Sequence, residues 1–384
     1  MFNVHDITRN ACQLHGALRL CGYDWWWHSF TAQDAETGED QPFFVEFFLC
    51  NPALGGAEPI LGQLPENRAA GKRPSYLMVK AGAWGAEQKT QLHRFFGWKE
   101  VSLNHGAPYR IEAGDCLASE EVLRGSIEIT PDEAAAHPEW MCGSGSLQWD
   151  LQLEKQIAFN VGYGASKPMR DIEAFAMYWH AEGMKTAYSG SLICNGRRYL
   201  VTPEKCYGYA DKNWGRDFTS PWVWLASNDL VSRKTGLRLR DSAFDIGGGR
   251  PKVFFLPLDR RLLGVFYYEG REFDFNFSHL WLNVKTEFSF DETDQLVAWH
   301  VRQESTEAVM ETEIFCRKED MLLVNYEAPD GSKRHNRLWN GGNGWGTVRL
   351  YEKQGRALVL IDEIEAGHVG CEYGEYGPAQ EDET

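Results

Sequence analysis

The chain advances in short runs, either apolar throughout or alternating apolar and polar, that Gly, Asn, Asp and Pro cut off after a few residues. Alternation sends successive side chains to opposite faces, which is the period of a strand and not of a helix. Residues 147–153 alternate cleanly, and residues 43–49 are apolar on both faces except at Glu46. Residues 76–80, 253–256, 262–268, 297–301, 312–315 and 348–351 read as further strands. Residues 273–279 read as a period-of-two strand whose apolar face continues at Trp281. Asn195-Gly196 and Asp330-Gly331 are hairpin signals. Helical signals are few. Pro131-Asp132-Glu133 opens a short helix with Pro at N1 and acids in the first turn, and Pro138 ends it. Residues 86–92 and 171–175 read as two more turns of helix. Many strands with so little helix predict an all-β chain built from sandwiches or barrels.

With 384 residues the chain has room for two domains and a sizeable core. Its 15 Trp, 15 Tyr and 21 Phe suit strands and also line apolar ligand cavities. A bulky core that holds no ligand accounts for them equally. The net charge of −16 excludes non-specific binding to nucleic acid and opposes docking on anionic lipid. No window of about 20 apolar residues is present, so no transmembrane segment is expected. The opening Met1-Phe2-Asn3-Val4-His5-Asp6 lacks the basic and apolar regions of a signal peptide. Nine scattered cysteines with no Cys-x-x-Cys pair read as free thiols, mostly buried, in a reducing cytoplasm. No metal site is expected from them, and residues 377–384 read as a disordered acidic tail.

Gly247-Gly248-Gly249-Arg250-Pro251-Lys252 is glycine-rich but lacks the Gly-Lys-Ser/Thr ending of a phosphate loop, so it reads as a tight turn. Gly162-Tyr163-Gly164 and residues 341–346 read the same way. No dinucleotide fingerprint or serine-nucleophile elbow appears, and no cofactor is expected. Tyr23-Asp24-Trp25-Trp26-Trp27-His28 is more demanding, because three consecutive indoles cannot all face one core. On a strand, Asp24, Trp26 and His28 share one face and Tyr23, Trp25 and Trp27 the other. One face packs a core, and the other is covered by a second element or lines a pocket. Glu46 stands on an edge or is buried and paired, and if buried it is an acid with a raised pKa. Tyr178, His180 and Glu182 share a face and suit acid/base work better than metal binding. His279, beside Phe275, Phe277 and Trp281, is a similar candidate, although a lone His on an apolar face is more often a satisfied core residue.

Tyr207-Gly208-Tyr209-Ala210-Asp211-Lys212-Asn213-Trp214-Gly215 collects a phenol, a carboxylate, an ammonium, an amide and an indole. As a strand it puts Tyr209, Asp211 and Asn213 on one face and Ala210, Lys212 and Trp214 on the other. A carboxyl among aromatic rings keeps its proton, since desolvation disfavours the charged form. The other reading of the segment is a β-turn.

Residues 209–215, followed by Trp222-Val223-Trp224-Leu225 and Asn228, resemble the signature of the tocopherol cyclase-like family. Gly22-Tyr23-Asp24-Trp25-Trp26-Trp27 and residues 344–352 are looser matches to its opening and closing strands, and the Trp25–His28 stretch departs from its usual form. The resemblance implies two lipocalin-like antiparallel β-barrel or sandwich domains, here residues 1–218 and 219–376, with a pocket near or between them. It also implies relatives among carotenoid 1,2-hydratases and natural-product cyclases. By position it makes Asp211 the acid, with Tyr209, Asn213 and Trp214 around it. The absence of a plastid transit peptide argues against a plant-type chloroplast enzyme. The expected function is a cofactor-independent cyclase or isomerase for a hydrophobic alkene-bearing phenolic or isoprenoid compound. Asp211, Tyr209 and Asn213 are the catalytic candidates. Trp26, His28, Glu46, His180, Trp214, Trp222, Trp224 and His279 are candidates for substrate binding. A non-catalytic carrier of a hydrophobic ligand and a double-bond hydratase are the alternatives. The oligomeric state is not readable.

Overall fold

A computed structural model describes residues 4–159, 172–253, 256–257, 261–332 and 335–376. Gly162-Tyr163-Gly164 and the acidic tail lie outside the described residues.

The first sheet holds β1 (Tyr23–Asp34), β2 (Asp40–Cys50), β3 (Tyr76–Ala83), β4 (Thr90–Phe96), β5 (Val101–Asn104) and β6 (Arg110–Ala113). It continues with β7 (Cys116–Ser119), β8 (Val122–Ile129), β9 (Gly145–Phe159), β10 (Met177–Cys194), β11 (Arg197–Val201) and β12 (Gly208–Gly215). The spatial order is β4-β3-β2-β1-β11-β10-β9-β8-β7-β6-β5, and β12 is wedged between β1 and β10. Its pairings, such as Trp25 with Asn213 and Trp27 with Asp211, bring the tryptophan run beside the Tyr209–Gly215 segment. That segment is therefore a strand and not a turn.

Next come β13 (Trp222–Ser227), β14 (Asp229–Ser232) and β15 (Ser242–Gly249), then the small pair β16 (Lys252–Val253) and β17 (Leu256–Pro257). The remaining strands are β18 (Arg261–Tyr268), β19 (Arg271–Asp274), β20 (Lys285–Glu292), β21 (Leu296–Glu304), β22 (Ala308–Arg317), β23 (Leu322–Val324), β24 (His335–Gln354) and β25 (Ala357–Tyr376). The second sheet is ordered β19-β18-β15-β13-β25-β24-β22-β21-β20, with β14 on β25 and β23 on β24. All pairings in the two large sheets are antiparallel, giving the all-β, lipocalin-like fold. The α-helices are short: α1 (Leu18–Cys21), α2 (Pro65–Ala69) and α3 (Pro131–Ala136). The Thr130 side chain and Glu133 close a capping box on α3, which explains why this helix forms where the sequence predicts it. Among the described residues no helix is long and apolar enough to cross a membrane.

Alternation along β13 and β15 explains how the sheets meet. Val223, Leu225, Phe244 and Ile246 fill a core enclosed by the second sheet. Trp222, Trp224, Ala226 and Ala243, on the opposite face, join the core that runs through the first sheet. Residues 222–227 thus serve two cores at once, which is why they read as almost wholly apolar.

Several sequence expectations are corrected. Gly247, Gly248 and Gly249 lie within β15 and not in a turn. A Cβ on Gly249 would meet the Pro221 carbonyl at 1.7 Å, so glycine is required there, while one on Gly247 would only touch the Trp179 indole at 3.5 Å. Residues 341–346 belong to β24, where the ladder shifts register, and a Cβ on Gly342 would meet the Trp84 ring at 2.3 Å. Residues 86–88 form a turn and Thr90 already begins β4, so no helix forms there. Ile172 and Glu173 form a turn with Glu173 at φ 49°, also without a helix. The strand expected over 273–279 stops at Asp274, because Asp274 and then Asn276 accept backbone N–H bonds two residues on and turn the chain. Of the strand expected over 253–256, Val253 and Leu256 pair with each other in β16 and β17, and residues 254–255 lie outside the described residues. Asn195 and Gly196, both with positive φ, make the tight turn from β10 to β11 as expected.

Candidate functional site

Trp25 and Trp27 leave β1 on the side away from Asp24, Trp26 and His28. Asp211 leaves β12 toward the same space, Met177 enters from β10, and Trp222 and Trp224 close it from β13. Tyr326, ahead of β24, Leu338 on β24 and Glu372 on β25 complete the wall. The gap contains about 410 Å³ between atoms. The rings stand so close that its open part is about 20 Å³, room for about one water molecule. A larger ligand must therefore turn some of these side chains aside.

Asp211 is the polar centre of this wall. Its Oδ2 accepts from Trp179 Nε1 at 2.9 Å and lies 3.3 Å from the Tyr209 hydroxyl, while its Oδ1 is buried with no partner among the described residues. Burial pushes the carboxyl well above the usual aspartate range, and Glu372 and Glu182 push the same way. Asp211 thus stands in the wall of the gap with its carboxyl biased toward keeping a proton. Trp27 Nε1 is a buried donor with no partner among the described residues. Glu372 accepts from Trp222 Nε1 at 2.6 Å and also from Asn340. Burial raises it to about 7, so both cavity carboxyls are pushed up by the same loss of solvent.

The remaining predicted residues divide by strand face. Tyr209 and Asn213 share the Asp211 face: Tyr209 donates to Asp245 Oδ2 at 2.9 Å, and Asn213 Oδ1 accepts from Tyr23 at 2.7 Å. Glu46 lies one shell out, paired with Lys80 at 2.7 Å, and Tyr326 of the cavity wall donates to it at 3.0 Å. Trp26, His28, His180 and Trp214 face the other way. The Lys212 ammonium, paired with Asp24, stands 3.5 Å from the Trp26 ring centre. The Tyr188 hydroxyl lies 3.2 Å from the Tyr209 carbonyl and shares a 2.8 Å hydrogen bond with His28 Nδ1, and burial lowers that imidazole to a pKa of about 3. His180 binds the Phe159 carbonyl and the Asn10 side chain, and Trp214 stacks on Tyr178. His279 sits in the turn after the edge strand β19, bound to Asp274 and stacked on Trp281, apart from the cavity.

Sequence reasoning did not single out Glu372, Tyr326, Met177, Leu338, Trp179 or Asp245. Glu372 left a faint signal, a carboxylate set among Val369, Gly370 and Cys371.

The sequence model of the tocopherol cyclase-like family matches residues 172–375, more than half of the chain. The chain belongs to the tocopherol cyclase-like family. The matched family region carries Asp211, Trp222, Trp224 and Glu372, while Trp25 and Trp27 come from outside it. No curated protein matches the chain. Among solved structures, it is similar to kievitone hydratase from Nectria haematococca. That likeness has 11% identity and a TM-score of 0.47, covering 97% of this chain and 95% of that one. It is also similar to CghA with Sch210972, at 12% identity and a TM-score of 0.42, covering 93% and 89%.

Proposed function

We propose that the protein is an acid-catalysed cyclase acting on a hydrophobic, alkene-bearing phenolic or isoprenoid compound. The observation that carries this reading is the Asp211 carboxyl, buried, held above the usual aspartate range and without a partner for Oδ1 among the described residues, on the wall of an aromatic gap. Leaving a buried polar atom unpaired costs about 1–3 kcal/mol. Protonating an alkene requires a carboxyl that keeps its proton in an aromatic wall, which simple carriage of an apolar ligand does not require.

The chemistry follows from the residue types. Asp211 gives its proton to an alkene carbon, leaving a carbocation on the neighbouring carbon. The faces of Trp25, Trp27, Trp222 and Trp224 stabilise that charge, by about 2 kcal/mol for a desolvated cation–π contact. A hydroxyl of the same molecule forms the C–O bond and gives its proton to Glu372. Substrate and product then have the same mass. If water is the nucleophile instead, the same groups perform a hydration.

The test is incubation of the protein with a panel of prenylated phenols and isoprenoid alcohols, read by mass spectrometry beside the Asp211→Asn variant. We expect an isomeric product, and a rate about 100- to 10,000-fold lower in a normally folded variant. A product heavier by one water would make the protein a hydratase. Tight binding without turnover would make it a carrier. Unchanged turnover in Asp211→Asn would remove Asp211 from the chemistry.

A further inference from the structure

Tyr209 stands between two buried carboxyls. Its hydroxyl lies 2.9 Å from Asp245 Oδ2 on β15 and 3.3 Å from Asp211 Oδ2 on β12, and it accepts from Trp224 Nε1 at 3.2 Å. A phenol has one proton to donate. The nearer acceptor is Asp245, so that proton goes to the second sheet and not to the cavity acid. Asp245 is fully buried, and its Oδ1 has no partner among the described residues.

We propose that Asp245 is a positioning residue for Asp211: by taking the Tyr209 proton, it leaves Asp211 to keep a proton of its own for the cavity. This rests on the reading of Asp211 as the acid. A carboxylate is stabilised by each donor directed at it, and two carboxyls sharing one hydroxyl oppose each other's ionisation. Both effects act on Asp211 in the same direction. Burial and the proximity of Asp211 also hold Asp245 well above the usual aspartate range. The other titratable groups that act around Asp211 are Glu372 of β25, Glu182 and Tyr188 of β10, and Tyr326. None of these is a cation that would pull its proton off.

Sequence gives no sign of this link. Asp245 sits in an apolar and glycine stretch 34 residues beyond Asp211 (245 − 211). Only the packing of β15 against β10, the neighbour of β12, brings the two together across Tyr209.

The test needs no substrate. The carbonyl stretch of protonated carboxyls is followed by infrared spectroscopy against pH in the wild type, Asp245→Ala and Asp245→Asn. The band that disappears in Asp211→Asn identifies Asp211. Asparagine keeps an oxygen acceptor for Tyr209 and removes only the ionisable group, whereas alanine removes both. In Asp245→Ala the Tyr209 proton turns to Asp211, and the Asp211 midpoint should fall by about one pH unit or more, a tenfold loss of proton affinity. Asp245→Asn should fall less. Equal shifts in the two variants would overturn the acceptor role, and an unmoved midpoint in both would overturn the proposal. A wild type with no Asp211 band at neutral pH would instead defeat the acid reading, so the two failures are distinguishable.

Discussion

Replacing Lys80 by methionine removes the ammonium that lies 2.7 Å from Glu46 Oε2, at a site where both side chains are fully buried. The same ammonium stands 3.7 Å over the Tyr326 ring, and the Tyr326 hydroxyl donates to Glu46, so the pair holds one wall of the cavity. Methionine fills nearly the volume of the lysine stem, which leaves charge as the main change. Breaking a buried pair by removing one partner costs about 3–5 kcal/mol, and that is the loss expected for Lys80→Met in guanidinium unfolding at neutral pH. Adding Glu46→Leu removes the stranded carboxylate. The double variant should recover part of the loss and keep a deficit of about 1–3 kcal/mol from the Tyr326 hydroxyl left without an acceptor. The pH dependence has a definite sign. Burial already raises the Glu46 carboxyl and Lys80 restrains it, so removing Lys80 raises it further. A raised folded-state pKa contributes its stability in full below the unfolded value, about 4.3, and loses it as pH rises through the folded value. The deficit of Lys80→Met should therefore shrink toward acid pH and grow toward neutral pH. A single variant within about 1 kcal/mol of wild type at pH 7, or a double variant worse than either single one, would refute the reasoning.

Glu372→Gln tests the second cavity carboxyl. Since Glu372 is raised to about 7, turnover that uses it as a base should rise with pH through about 7 in the wild type, and a pH–rate profile of the variant should lack that limb. The same raised value means that its contribution to stability is present at acid pH and lost as pH rises through about 7, so the variant should also show a flatter thermal-unfolding profile over that range. Gly342→Ala drives a methyl into the buried Trp84 ring, whose Nε1 donates to Asn340 at 2.6 Å and so resists moving. Denaturant unfolding should show a loss of about 1–3 kcal/mol. Because Asn340 also bonds Glu372, tryptophan fluorescence of the cavity should change with it.

By itself the sequence determined the strand content, the short helix over residues 131–136, the turn at Asn195-Gly196, and the faces of the two decisive strands. Alternation is a local property, so the division of Trp25 and Trp27 from Trp26 and His28, and of Asp211 from Lys212, could be read without any fold. The resemblance carried by Tyr209–Gly215 singled out Asp211, which the structure places on the wall of the cavity. Tertiary structure decided which face of β1 met the second sheet, and hence that Trp25 and Trp27 line the gap while Trp26 and His28 turn away from it. It also made strands of two glycine-rich stretches that read as turns, residues 247–249 in β15 and 341–346 in β24, the second with Gly342 against the Trp84 ring. Tyr326 and Asp245 were illegible, and Glu372 nearly so, for one physical reason. Each is an ordinary residue in its own segment, and its chemistry comes from desolvation and partners that arrive only when strands more than 30 residues apart in sequence pack together.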